Sequence, residues 1–568
     1  MAIWLPWVLC GCGQSGAERI SPSPTDISPP IAPWFEDVTE SWGVRFVHDP
    51  GPVDGNYFLP QINGSGAALF DCDHDGRLDL YLLQFGGPES QAKNVFYRQT
   101  ASGSFQDASQ GSGLDIAGYN TGVIVGDADN DGLPDVVVVQ YLGLKCFLNQ
   151  GDGKFQDATE TAHLANESWG TSASFLDFDR DGWLDLVVAN YLAYDPGRNC
   201  SLRGGRQDFC PPTNFPGTVS LLFRNLGRDA SGVWQGYENC TQSSGLGSLP
   251  GPGLGALCAD FDGDDWPDIF IANDARPNHL WINKQDGTFA EEAVVRGLAY
   301  NAKGDAQANM GIAYGDVDDD GLPDLFVTHF FNEHHGLWKQ QPRGLFHEQA
   351  GSAGITRCRW HGTGFGTVLG DFDQDGDLDL ALTNGHVGAN DGPKDPFWNA
   401  YFDRNQVLMN EGQGRFRDIS ESNPALCARP NVGRGLCQGD IDGDGALDLV
   451  VTEIAGPVRI LRNVAPQRGH WLIVRAIEPQ HQRDALGAEV TITAAGHRWQ
   501  RLVQSGYSFQ SSNDPRVHFG LGDVDRIDGI EVRWCDGVRE RFKQTTVDCV
   551  VEIRRGMGEP IASEDGTP

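Results

Sequence analysis

Positive charge is scarce in this 568-residue chain: 42 Lys and Arg stand against 78 Asp and Glu, for a net charge of −36. A surface so negative repels phosphate backbones and anionic lipid, which argues against nucleic-acid and polybasic membrane roles. Apolar runs are short, none reaching the roughly 18 residues that a membrane helix needs. The 13 cysteines include no CxxC or CxxCH arrangement, so zinc ribbons, thioredoxin-like redox sites and c-type haem are disfavoured. Nor is there a Ser-His-Asp order, a paired-Glu motif or an HExxH. What the chain has instead is aspartate and glycine, the latter 73 residues or roughly twice the usual share.

The aspartates are organised. D-x-D-x-D-G-x-x-D followed by an apolar run recurs seven times. The copies place Asp71, Asp73, Asp75 and Asp79 in the first; Asp127, Asp129, Asp131 and Asp135 in the second; and Asp177, Asp179, Asp181 and Asp185 in the third. Asp260, Asp262, Asp264 and Asp268 form the fourth; Asp316, Asp318, Asp320 and Asp324 the fifth; Asp371, Asp373, Asp375 and Asp379 the sixth; and Asp440, Asp442, Asp444 and Asp448 the seventh. Only the fourth departs, with Asp265 in the glycine place. Where the copies follow most closely they are 50 to 56 residues apart, which sets the repeat unit, and the longer gaps carry insertions.

The chemistry follows from the spacing. A hard cation such as calcium takes about six to eight oxygens, and aspartates at positions 1, 3, 5 and 9, with a backbone carbonyl at position 7, supply them. Glycine at position 6 permits the sharp turn. An EF-hand would close the cage with Glu at position 12, where this chain has Leu82, Val138, Val188, Ile271, Val327, Leu382 and Val451, the middle of a buried strand. About seven calcium ions are therefore expected, with weak affinity, on the order of 0.1 to 1 mM. A second mark, Phe-x-Asp after a Gly-rich turn, occurs at Phe35, Phe105, Phe155 and Phe416 and reads as an outer strand with its hairpin. Each repeat is then a small antiparallel sheet that cannot bury its faces alone.

These repeats resemble FG-GAP or VCBS repeats, and the resemblance, over 34–465, implies an all-β, seven-bladed β-propeller of the integrin α type. One Phe-x-Asp strand precedes the first loop and none follows the seventh, so the segment from Phe35 to Thr39 is expected to complete the blade containing Asp440. From Arg468 the style changes to short alternating strands, and 466–555 reads as a small β-sandwich. It resembles the ASPIC/UnbV domain at the Arg-Gly-His-Trp start, Ser505-Gly506, the run from His518 to Gly522 and Val532-Arg533-Trp534, with Cys535 where that family usually has proline. The whole chain is similar to the cartilage acidic protein family, bacterial type, which implies an extracellular calcium-binding protein. Residues 1–12 resemble a lipoprotein signal with Cys12 as the lipidated residue; 13–33 read as a Ser/Pro-rich tether and 556–568 as a disordered tail.

Cys200 and Cys210 bracket a Gly-rich loop and are expected to form a disulfide in an oxidising compartment; Cys535 and Cys549 are a further expected pair, flanking a hairpin. Position 14 of every repeat is polar: Gln84, Gln140, Asn190, Asn273, His329, Asn384 and Glu453. These are expected to ring one mouth of the propeller as a ligand face, beside the long segments 191–216 and 385–401 and the residues Phe330, Phe331, His334, His335, His386 and Trp398. Function is expected to be that of a non-enzymatic, monomeric binding or adhesion module for a protein or glycan partner, secreted or held at the cell envelope. The alternative is a calcium-assisted polysaccharide lyase or hydrolase with His329 or Glu453 as general base.

Overall fold

The computed structural model describes residues 31–561 apart from 202–204, 206, 390–393, 395, 467 and 481. Cys12, most of the expected tether and residues 562–568 lie outside the described residues, and the expected disordered tail is corrected at its start, where Glu559–Pro560 pairs with Arg539–Phe542 as a strand of the C-terminal domain. Seven four-stranded antiparallel sheets follow one another along the chain, one per aspartate repeat. Their innermost strands are Ala67–Phe70, Asn120–Gly126, Gly170–Leu176, Gly253–Ala259, Ile312–Gly315, Gly364–Gly370 and Gly433–Gly439, and each packs on the next, the last returning to the first. Second strands that are apolar through their middles explain why each sheet buries both faces: Val136 to Val139, for example, are wholly inaccessible. Hydrophobic clusters fill the space between successive blades, such as Phe70, Tyr81, Val123 and Val136 between the first and second.

The ring is closed by the N-terminal strand. Phe35–Asp37 pairs with Arg459–Asn463, Phe35 opposite Asn463, and supplies the outer strand of the seventh blade, as the strand count requires. Side chains close it too. An Asn or Gln ending the third strand of a blade donates to the position-2 carbonyl of the preceding blade: Asn149 to Cys72 (2.8 Å), Asn225 to Ala128 (2.7 Å), Asn283 to Phe178 (2.8 Å), Asn410 to Val317 (2.9 Å) and Asn463 to Phe372 (2.8 Å). Gln99 of the first blade reaches Ile441 of the seventh (2.6 Å).

The C-terminal sandwich stacks two sheets. One contains His470–Glu478, Arg483–Asp484, Val517–Gly522 and the parallel strand Cys549–Arg554; the other orders His497–Leu502, Glu489–Ala494, Gly529–Arg533, Arg539–Phe542 and Glu559–Pro560. Leu472, Val490, Ile492, Phe519, Val532 and Trp534 fill its core. The expected Cys535–Cys549 disulfide is corrected here. Cys535 follows a strand of the second sheet, Cys549 opens a strand of the first, and both thiols are free. Cys200 and Cys210 are joined.

Candidate metal centres and the threaded axis

Every aspartate loop is the turn between the first and second strands of its blade. The residue before position 1 pairs with the position-9 aspartate, as Phe70 with Asp79 and Gly126 with Asp135, so the cage is built at a fixed point of the ladder. Position 1 accepts the N–H of position 6 in all seven loops, for example Gly76 to Asp71 at 2.8 Å and Gly132 to Asp127 at 2.9 Å. Position 5 accepts that of position 7, as Leu133 to Asp131 at 2.9 Å. Position 9 accepts two: Asp135 takes Ala128 N at 2.8 Å and Asn149 N at 2.8 Å. Backbone donors therefore orient all three. In the fourth loop Asp265 takes φ +72°, the left-handed conformation that glycine holds elsewhere, and its carboxylate is held by Arg533 at 2.7 Å.

Position 3 behaves differently. An outer oxygen meets a propeller cation in six loops: Asp73 meets Arg98, Asp129 Arg228, Asp179 Arg224, Asp262 Arg296, Asp318 Lys339 and Asp442 Arg462. The inner oxygen Oδ1 of Asp73, Asp129, Asp179, Asp318 and Asp373 is buried with no hydrogen-bond partner. A buried carboxylate oxygen without a donor is costly. The donor set is all oxygen, acidic and clustered, with ligand atoms of Asp127, Asp129 and Asp135 within 4.8 Å of one another. The residues present thus fit a hard divalent cation. When bound, such an ion supplies the positive charge that these oxygens lack. Burial, with repulsion inside the cages, pushes carboxyls upward: Asp127 and Asp177 to about 7, Asp324 to about 8, and Asp135, Asp185, Asp379 and Asp448 well above the usual carboxylate range.

Sequence reasoning missed what the C-terminal domain does to these loops. It packs on the face that carries them, and four of its arginines reach the seven position-1 aspartates, with Arg475 also acting on Asp71. Arg483 acts on Asp127 and Asp177, Arg501 on Asp316 and Asp371, Arg516 on Asp440 and Asp71, and Arg533 on Asp260 at 2.8 Å. His518 Nε2 adds a contact to the carbonyl of Gly445 at 2.9 Å.

A loop of the same domain, residues 504–513, runs into the axis of the ring and bonds to the inner strand of all seven blades. Ser512 exchanges bonds with Ala67 and Leu69; Gln510 O accepts from Val123 N; Gln504 donates to Phe175 O and Cys258 O. Ser508 pairs with Ile312 and its hydroxyl accepts from Thr367 N, and Asn513 accepts from Gln438 N at 3.0 Å. At Gly66 a Cβ would stand 2.3 Å from Gln510 O, so the strand needs glycine where the thread passes. Phe509, fully buried, reaches the far side and packs on Phe365 with ring centroids 5.0 Å apart. The uncharged run SGYSFQSSN was the available signal.

The position-14 residues sit at or just beyond the far ends of the second strands, but they do not line an open mouth. Asn190, Asn273, His329 and Asn384 are fully buried, Gln84 and Glu453 nearly so, and only Gln140 is half-buried. Each serves its own surroundings. Asn190 donates to Val219 O (2.9 Å), Asn273 to Pro277 O (2.8 Å) and Gln84 to Val47 O (3.0 Å); Gln140 reaches Asn120 (2.7 Å) and Glu453 meets Arg429. His329 is locked between His334 O (2.7 Å) and Asn309 Oδ1 (2.8 Å), and burial lowers it to about 4. The expected ligand ring is therefore a set of internal strand-end latches, and His329 and Glu453 are not placed as accessible general bases. Phe330 packs at a tilt on Phe331, Phe331 meets His386 edge-on, and Trp398 stacks on Phe209, so these aromatics pack on one another.

Comparison with known proteins agrees with this architecture. The FG-GAP-like repeat family matches residues 71–138, 127–188 and 260–327, and the ASPIC and UnbV family matches 478–560. Cartilage acidic protein 1 of Xenopus tropicalis is 30% identical over 48% of this chain and 40% of its own length. The human protein of that name is 26% identical over 62% of this chain and 54% of its own. The chain thus spans about half the length of the curated relatives it matches. Among solved structures, an Agrocybe aegerita lectin is similar at TM-score 0.41 and 17% identity, covering 66% of this chain and 88% of the lectin. The chain is an FG-GAP-repeat protein with an ASPIC/UnbV domain, homologous to cartilage acidic protein 1.

Proposed function

We propose that this protein is an extracellular, calcium-stabilised binding module: seven loops each hold one calcium ion, and the ring so stiffened presents its opposite, insertion-rich face to a partner. The observation that carries the metal reading is the set of buried, donorless inner oxygens of Asp73, Asp129, Asp179, Asp318 and Asp373. All 28 cage aspartates enter the reading, those at positions 1, 3, 5 and 9 of every loop. The Cys200–Cys210 disulfide and kinship with a cartilage acidic protein support an extracellular setting, with Cys12 as a lipid anchor. The protein acts as a monomer and recognises a protein or glycan.

The test is metal content by mass spectrometry, paired with thermal unfolding before and after EDTA. Close to seven calcium ions per chain and a large loss of stability on chelation are expected. Metal-free protein with an unchanged unfolding curve would overturn the reading.

A further inference from the structure

On the face away from the metal loops, above the inner strands of the third to sixth blades, the chain encloses a cavity of about 370 Å³. Its walls are mainly apolar, with Ile62, Leu254, Met310, Phe330 and Phe365 among them; Phe365 rests on the thread residue Phe509. Two carboxylates stand in this apolar lining. Asp274 follows the second strand of the fourth blade and accepts a hydrogen bond from Tyr191. Glu333 follows that of the fifth and accepts Ala308 N at 3.0 Å. Among the described residues neither has a Lys or Arg partner, in contrast to the position-3 aspartates, where six loops carry one. Burial raises both carboxyls, and the Glu333 charge adds to the effect on Asp274, which reaches about 6. Thr363 Oγ1, also on the wall, is buried without a partner. Two neighbouring carboxylates in a partly dry, apolar site are an arrangement that a cation relieves.

We infer that this cavity binds an ammonium group carried on an apolar stem, the stem against Leu254, Met310 and Phe365 and the ammonium between Asp274 and Glu333. The inference rests on the reading of the chain as a binding module and names the chemistry that its insertion face selects. Two sources share that chemistry, a free organic amine and a lysine side chain of a partner.

Calorimetric titration of the calcium-loaded full chain at pH 7.5 tests it, with 2-phenylethylamine and Nα-acetyl-lysine methylamide as probes and 2-phenylethanol as the uncharged counterpart. One saturable site for at least one amine is expected. The alcohol should bind at least tenfold more weakly than phenylethylamine, and the amine that binds tighter identifies the source. Asp274→Asn and Glu333→Gln, each isosteric, should weaken amine binding at least tenfold with metal content and unfolding midpoint unchanged; should Asp274→Asn fail to fold, Glu333→Gln carries the test. No saturable amine binding, equal binding of the alcohol, or folded variants that bind as well as the parent would overturn the site. Full metal content without amine binding removes the site and leaves the calcium reading intact. Amine binding by a chain that holds no metal does the reverse.

Discussion

A position-9 aspartate serves the cage, the loop and the blade together. Asp135 offers its oxygens to the metal cluster while accepting the N–H groups of Ala128 and Asn149, so it ties the metal site to the first turn and to the third strand. Replacing Asp135 by alanine leaves two buried N–H donors unmet, each worth about 1–3 kcal/mol, and opens one cage. Asp135→Ala is expected to cost about 2–6 kcal/mol and to remove one calcium, read by chemical denaturation and by metal content. Four of the five buried histidines, the four that lie in the propeller, make a second residue-scale point. Burial lowers His48 and His335 to about 3 and His279 and His329 to about 4, below their ordinary 6.5. An unfolded chain takes up these protons from pH 6.5 downward while the folded chain refuses them. Their contribution to stability is thus complete above pH 6.5 and lost progressively toward pH 4. Unfolding midpoints at constant calcium should fall over that window, and His329→Gln should flatten the slope; a midpoint independent of pH there would contradict the assignment.

Among the elements, the thread and the inter-blade clamps carry most of the cooperation. Phe509 is fully buried among residues from several blades, and Phe509→Ala is expected to destabilise by about 3–5 kcal/mol, with a single unfolding transition lost or broadened. If the C-terminal domain only rested on the ring, that change would leave propeller unfolding untouched. Asn225 bonds Ala128 O of the preceding blade and Leu184 O of its own. Asn225→Ala should cost about 1–3 kcal/mol, and hydrogen exchange should quicken at the interface of the second and third blades rather than uniformly. Neither role was legible beforehand. The Asn before the Gly-rich turn in LNQGDGKF or MNEGQGRF looks like turn chemistry, and only the neighbouring blade reveals its acceptor.

For the whole molecule the acidity is local: 28 of 78 acidic residues are the cage aspartates at positions 1, 3, 5 and 9 of the seven loops. The C-terminal domain answers that charge with Arg483, Arg501, Arg516 and Arg533, so its docking and the state of the loops are coupled electrostatically. Because these guanidiniums are largely buried, salt should screen the coupling only weakly.

Sequence by itself determined the repeat, its number, the carboxylate positions and the strand that closes the ring, since all of these are local: fixed spacing in a tight turn, an apolar run after it, and a strand count one out of phase. It misplaced the ligand ring, because a polar residue at a strand end looks the same whether it faces water or a buried neighbour. Only the tertiary structure decided that His329 is locked inside, that residues 504–513 thread the axis, that four arginines serve seven loops, and that Asp274 and Glu333 share one cavity. Those relations join residues hundreds of positions apart, and nothing in the spacing of a single chain encodes which surfaces the closed ring brings together.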